Sequence, residues 1–176
     1  IYGLGLRVSE AANLRLRDID WHRGVLAIEE TKFLKSRLVP VGPKLLARLR
    51  HYIEARQALA GRMESSDPLF SLGKDRMRPI RTHCVSDMFQ RLCRKLGVKV
   101  PSGIAAPRLH CLRHSFAVNT LLRWYRQGIN PQDRLLQLST FMGHVHPSST
   151  AVYLTITGEL LDEANDRFRR LGLSLT

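Results

Sequence analysis

The chain has 176 residues, 44% of them hydrophobic, enough for one sizeable buried core and a single domain. Lys and Arg number 28 against 15 Asp and Glu, a formal net charge of +13, which in a compact domain points to a polyanionic partner, nucleic acid first. No apolar run approaches the ~20 residues of a membrane span, no basic helix has the bulky apolar face of a membrane binder, and the start lacks a signal-peptide pattern, so a cytoplasmic protein with no membrane contact is expected.

Cys84, Cys93 and Cys111 are odd in number and lack C-x-x-C spacing, which argues against a disulfide framework and a zinc ribbon; they are expected to be reduced and structural. The chain opens on Ile1 and runs straight into a motif, as expected of a fragment with residues missing upstream.

Residues 9–17 read as a short helix capped by Ser9, with Glu10 near the positive end of its dipole, Ala11 and Leu14 on one face, and Arg7 just before it. Val25–Ile28 and Arg37–Val41 have strand character and form a hairpin whose connection carries Lys32 and Lys35; Pro40 implies that the second strand is at an edge or ends there. Gly42-Pro43 starts a packing helix with the stripe Leu45, Leu46, Leu49, Tyr52, Ile53 and Leu59, closed at Gly61. Residues 62–81 form a basic loop with Lys74, Arg76, Arg78 and Arg81, either solvated or contacting phosphate, in which Leu69-Phe70 suggests a short strand.

Thr82 caps a helix whose expected core face is Val85, Met88, Phe89, Leu92 and Leu96, ending at Gly97. A loop with Pro101, Gly103 and Pro107 leads to His110, and the next helix shows the stripe Cys111, Ser115, Val118, Leu122 and Tyr125 up to Gly128. Asn130-Pro131 starts another, with Leu135, Leu136, Leu138, Phe141 and Met142 apolar, so that His144 falls just past its end at Gly143. Pro147–Thr150 starts a short helix carrying Tyr153 about one turn in, and 157–171 read as a last amphipathic helix.

His110 and Arg113 are three apart, so in one helical turn they share a face, and an imidazole beside a forked guanidinium makes a clamp for phosphate oxygens. His110, His114, His144 and His146 also allow a metal reading, but no clear carboxylate or cysteine pair accompanies them and the arginines would repel a cation, so no metal and no cofactor is expected. Tyr153 alone reads as a packing residue, since a phenol with a pKa of about 10 attacks poorly unless cations surround it.

Four segments together change that reading. Gly5-Leu6-Arg7-Val8-Ser9-Glu10 resembles the first arginine box of the tyrosine recombinases, the phage integrase family, and the segment from Thr31 to Pro40 resembles their lysine-bearing β-hairpin. His110-Cys111-Leu112-Arg113-His114 resembles the H-x-x-R-H box, and Gly143-His144 followed nine residues on by Tyr153 resembles the closing motif. The resemblance implies an α+β, mainly α catalytic domain with a small antiparallel sheet, spanning 1–176, without the family's N-terminal core-binding domain. It implies a site-specific recombinase, serving a mobile element, that cleaves and rejoins double-stranded DNA as a homotetramer on two sites.

In that scheme Arg7 and Arg113 bind the scissile phosphate, His110 and His144 add hydrogen bonds, Lys32 protonates the leaving 5′-oxygen, Tyr153 forms a 3′-phosphotyrosyl bond and Glu10 orients the site. Lys35, Arg37, Lys74, Arg76, Arg78 and Arg81 are the further DNA-binding candidates. Cys111 stands where the family usually has Asp. The competing readings are a type IB topoisomerase-like enzyme, a catalytically silent DNA-binding module and a metal-dependent nuclease.

Overall fold

The structure, a computed structural model, describes residues 1–29, 36–72, 78–100 and 102–154. Lys32, Lys35, Lys74, Arg76 and the expected helix at 157–171 lie outside the described residues. The architecture is mainly helical with one small antiparallel sheet, in the order α1 (Val8–Asn13), β1 (Ile19–Asp20), β2 (Val25–Ile28), β3 (Arg37–Pro40), α2 (Pro43–Ala60), α3 (Thr82–Lys95), α4 (Cys111–Arg126), α5 (Leu135–Met142) and α6 (Ser148–Ala151). Short 3-10 turns cover Leu16–Asp18, Pro131–Arg134 and Val152–Leu154.

The helix expected over 9–17 is shorter. It stops at Asn13 and its cap residue is Arg7, whose backbone N–H donates to the Glu10 carboxylate at 2.8 Å. A side-chain acceptor three residues into a helix satisfies an exposed N-terminal donor as well as Ser9 would, and it ties Arg7 and Glu10 together at once. The sheet has strand order β1-β2-β3, with Ile19 opposite Leu26 and Leu26 opposite Val39. Strand β1, two residues long, had no sequence signal of its own; it exists because it pairs with β2. Pro40 lies in the edge strand, where its missing N–H costs no ladder bond. No strand forms at Leu69-Phe70. One bridge joins Arg15 and Pro68, the Leu69 N–H donates to the Leu14 carbonyl at 2.7 Å, and buried Arg56 donates to the Leu69 carbonyl at 3.0 Å.

Two apolar clusters result. One gathers Leu4, Leu6, Leu14, Ile19, Leu26, Ile28, Val39 and Leu69 under the sheet and α2; the other gathers Ala117, Leu121, Leu122, Leu138, Met142 and Tyr153 between α4, α5 and the Tyr153 turn. Phe116 and Phe141, one packed on each cluster, stack at 5.5 Å across the seam.

Several expected stripes are displaced. Leu59 and Leu136 are exposed, and α3 has no fully buried residue: Met88, Leu92 and Leu96 of its expected core face lie open. Hydrophobic period selects a helix face but not the surface that will cover it. On α4 the buried ridge is Arg113, Ala117, Leu121 and Leu122; of the expected stripe Leu122 is buried, Val118 and Tyr125 pack partly buried against the same cluster, and Cys111 is exposed. A charged residue leads that ridge because carbonyl oxygens receive it, a long-range arrangement that helical period does not encode.

The seam also fixes Gly5. Its φ of +58° is a left-handed conformation, and a Cβ there would lie 2.4 Å from the Phe116 ring. Gly5→Ala is expected to cost more than the ~1–2 kcal/mol of left-handed strain alone, read as a lower urea midpoint; an unchanged midpoint would mean that the seam is loose.

Candidate active site

The last carbonyls of α5 organise the site. A helix leaves its final C=O groups without intrahelical donors and carries partial negative charge there. Here three successive carbonyls accept from three different arginines. Phe141 accepts from Arg37 Nε at 2.9 Å, Met142 from Arg113 Nη2 at 2.8 Å, and Gly143 from Arg7 Nη2 at 2.6 Å. Arg113, 1% exposed, also donates to the Gly5 carbonyl. Strand β3, α4 and the start of α1 are thereby tied to one helix end.

Glu10 is the counter-charge. It accepts from Arg7 Nη1 at 2.7 Å and from Arg37 Nη1 and Nη2 at 3.0 and 2.9 Å. Burial alone would raise its pKa, but the hydrogen bonds from Arg37 and Arg7 outweigh that and hold it below the usual range. Arg113 is pushed down to about 10, by burial first and then by the charge of Arg7, with Glu10 acting in the opposite sense. Three guanidiniums around one carboxylate leave a positive surplus suited to an anion.

Arg37, expected among the DNA-binding cations, is directed into the arginine cluster and away from solvent. Its side chain is 10% exposed and its guanidinium is spent on Glu10 and the Phe141 carbonyl. Sequence reasoning missed this because the pairing spans 27 residues to Glu10 and 104 to Phe141. Arg78 and Arg81 are exposed.

Gly143, at φ +70° and ψ +39°, ends α5 in the left-handed form; its N–H donates to Thr140 and the His144 N–H to Ser139, at 3.0 and 2.9 Å. This closure sets His144 against Thr150, whose fully buried hydroxyl lies 2.7 Å from His144 Nδ1. A Cβ on Gly143 would sit 2.6 Å from the Arg37 guanidinium, so only glycine allows both the turn and the arginine.

His110, at the α4 N-terminus, is exposed, while Arg113 turns into the core, so the two do not share an open face as their spacing suggested. His110 meets His114 edge to face at 4.5 Å. His114 Nδ1 lies 2.7 Å from the Tyr153 hydroxyl, and the His144 ring stacks near the tyrosine at 6.4 Å. Tyr153 is 4% exposed; burial raises its pKa, and the charge of Arg113 works against that rise. The structure therefore brings Arg7, Glu10, His110, Arg113, His144 and Tyr153 into one neighbourhood and adds Arg37, His114 and Thr150. Among the described residues no group of three or more His, Cys, Asp and Glu is placed to hold a metal ion, and no helix is long and apolar enough to cross a membrane.

Desolvation and the charges of the arginines hold His110, His114 and His144 below the ordinary imidazole value, His144 at about 4. The unfolded chain thus takes up protons near pH 6.5 that the fold refuses, so stability falls as pH drops from about 6.5 towards 4. Glu10, lowered in the fold, adds stability that is lost at still lower pH. The urea midpoint is expected to fall across this window, with a shallower fall in His144→Gln. Arg37→Ala, which leaves Glu10 with Arg7 alone and the Phe141 carbonyl without its arginine, is expected to cost about 2 kcal/mol, whereas exposed Arg81→Ala stays within about 0.5 kcal/mol, both by denaturant titration.

Comparison with known proteins agrees with this geometry. The family model described as "Phage integrase family" matches residues 1–159. A Sinorhizobium fredii protein named as an integrase/recombinase, y4rB, is 40% identical over 166 residues, covering 94% of this chain and 52% of that protein. Tyrosine recombinase XerA of Thermococcus kodakarensis is 32% identical over 170 residues, 95% of this chain and 52% of its own length. The chain spans about half the length of these curated relatives. Among solved structures, XerA recombinase superposes with a TM-score of 0.74 at 23% identity over 96% of this chain and 54% of that one. The Tn1549 transposon integrase in complex with transposon right end DNA superposes at 0.66 and 21% identity, over 97% and 56%. Four sequence motifs, the fold that unites them and a match over residues 1–159 lead to one conclusion: the chain belongs to the phage integrase family.

Proposed function

We infer that this chain is the catalytic domain of a tyrosine-type site-specific recombinase, which cleaves and rejoins double-stranded DNA through a 3′-phosphotyrosyl intermediate. The observation that carries the reading is the convergence of Arg7 and Arg113 on the end of α5 beside His144 and Tyr153. Guanidiniums held by carbonyl oxygens do not reorganise when a phosphate arrives, and fixed donors stabilise charge where it develops. Arg7 and Arg113 bind the scissile phosphate and stabilise its five-coordinate transition state.

His110 and His144 add hydrogen bonds. The Thr150 hydroxyl engages His144 Nδ1, so a hydrogen bond from this ring to a phosphate oxygen falls to Nε2. Tyr153 is the nucleophile and Lys32 the acid for the leaving 5′-oxygen. The covalent phosphodiester conserves the bond energy, so rejoining needs no ATP. The whole protein acts as a tetramer on two DNA sites, in the cytoplasm; the fold it shares with the Tn1549 transposon integrase supports service to a mobile element.

Incubation with a nicked target duplex is expected to trap a covalent protein–DNA adduct. Tyr153→Phe abolishes the adduct while leaving non-covalent binding nearly unchanged. Binding falls with salt by about 0.9 log units per log unit for each phosphate contacted. Absence of an adduct from the intact protein would support a silent DNA-binding module. Relaxation of any supercoiled plasmid, without a site requirement, would instead favour the type IB topoisomerase reading.

A further inference from the structure

His114 has no place in the scheme above, yet among the described residues its side chain is within hydrogen-bond distance of the proposed nucleophile. Its Nδ1 lies 2.7 Å from the Tyr153 hydroxyl, with ring centroids 5.4 Å apart. The position is built in. The His114 backbone N–H donates to the His110 carbonyl at 3.2 Å in the first turn of α4, and neighbouring Arg113 is anchored to Gly5 and Met142. Tyr153 is held from the other side by its place in the apolar cluster of α4 and α5. His114 as a residue is exposed to solvent, as a group that exchanges protons requires.

We propose that His114 is the proton acceptor for Tyr153. Its neutral Nδ1 takes the phenolic proton as the tyrosine oxygen attacks phosphorus, and returns it when the strand is rejoined. The reaction balances without a cofactor. The O–P bond to Tyr153 forms, the P–O5′ bond breaks, the tyrosine proton passes to His114, and the departing 5′-oxygen takes a proton from the acid assigned to Lys32. Rejoining runs both transfers backwards. The charged and titratable groups that face His114 are Arg113 beside it, His110 edge-on to its ring, and Tyr153. Desolvation and the charge of Arg113 hold its pKa below the ordinary imidazole value, so the ring is neutral and able to accept at pH 7. Burial raises the Tyr153 pKa, which makes spontaneous loss of that proton rarer and an acceptor more necessary.

This inference rests on the recombinase reading, and one experiment separates their failures. Single-turnover cleavage of a nicked target duplex is followed from pH 5.5 to 9 for the intact wild-type protein, His114→Asn and His114→Ala, with non-covalent DNA binding measured alongside. Asn keeps a hydrogen-bonding group near the Nδ1 position but cannot take a proton. Both variants are expected to bind DNA normally and to cleave at least about 100-fold more slowly at pH 7. Their rates should rise tenfold per pH unit where the wild type is level, because the phenol must then ionise unaided. A duplex with sulfur in place of the bridging 5′-oxygen, which needs no acid to leave, should restore Lys32→Ala and not the His114 variants.

Wild-type cleavage by His114→Asn, a defect that is the same at every pH, or rescue of the His114 variants by the sulfur substrate overturns the assignment and leaves the recombinase reading standing. No adduct from the wild-type protein overturns both.

Discussion

The rest of the structure depends on how the end of α5 is neutralised. Three consecutive carbonyls, from Phe141, Met142 and Gly143, each take one arginine, and the three arginines come from β3, α4 and the residue that caps α1. Two unit charges 4 Å apart repel by about 4 kcal/mol at the effective dielectric of a partly exposed site. A group of guanidiniums therefore needs compensation on every side. The helix end supplies part of it as fixed dipoles, and Glu10 supplies a full negative charge through Arg7 and Arg37. What is left is a positive surplus with rigid geometry, which is what a phosphodiester needs from its catalyst when no metal assists.

The same economy explains which small residues matter. Gly143 turns the chain into the left-handed region, offers its carbonyl to Arg7 and leaves room for Arg37 across its missing Cβ. Gly5 does the matching service on the other side, giving its carbonyl to Arg113 while pressed against Phe116. Thr150, wholly buried, holds His144 by Nδ1. None of these side chains carries chemistry, and each sets the aim of one that does.

Much of this was legible in the sequence, for physical reasons. Arg7 and Glu10 stand at helix-entry spacing, Gly143-His144 at a helix exit, and the β2–β3 hairpin and the α2 boundaries follow from proline, glycine and alternation. The partners across the fold were not legible. Arg37 looked like one more surface cation because its carboxylate is 27 residues away and its carbonyl 104. His114 looked like one of several candidate metal histidines because the tyrosine it meets is 39 residues on. The apolar face of α3 looked like core because period reports a stripe and says nothing of its cover; Met88, Leu92 and Leu96 remain open in the described chain. A buried arginine leading the ridge of α4 contradicts any hydropathy rule until its carbonyl partners are known.

Arg113 reaches Gly5 across 108 residues of sequence, and Arg7 reaches Gly143 across 136. Contacts of such separation close the longest loops in the chain and carry the greatest entropic cost before they return any stabilisation. Arg7 and Arg113 are thus joined to the rest only when the segments around Gly5 and Gly143 have both found their places. A nascent or partly unfolded chain possesses the tyrosine but not the electrophilic cradle. Under the proposed function, competence to break a DNA strand would appear together with the cooperative completion of folding, a safeguard against nicks left by premature activity.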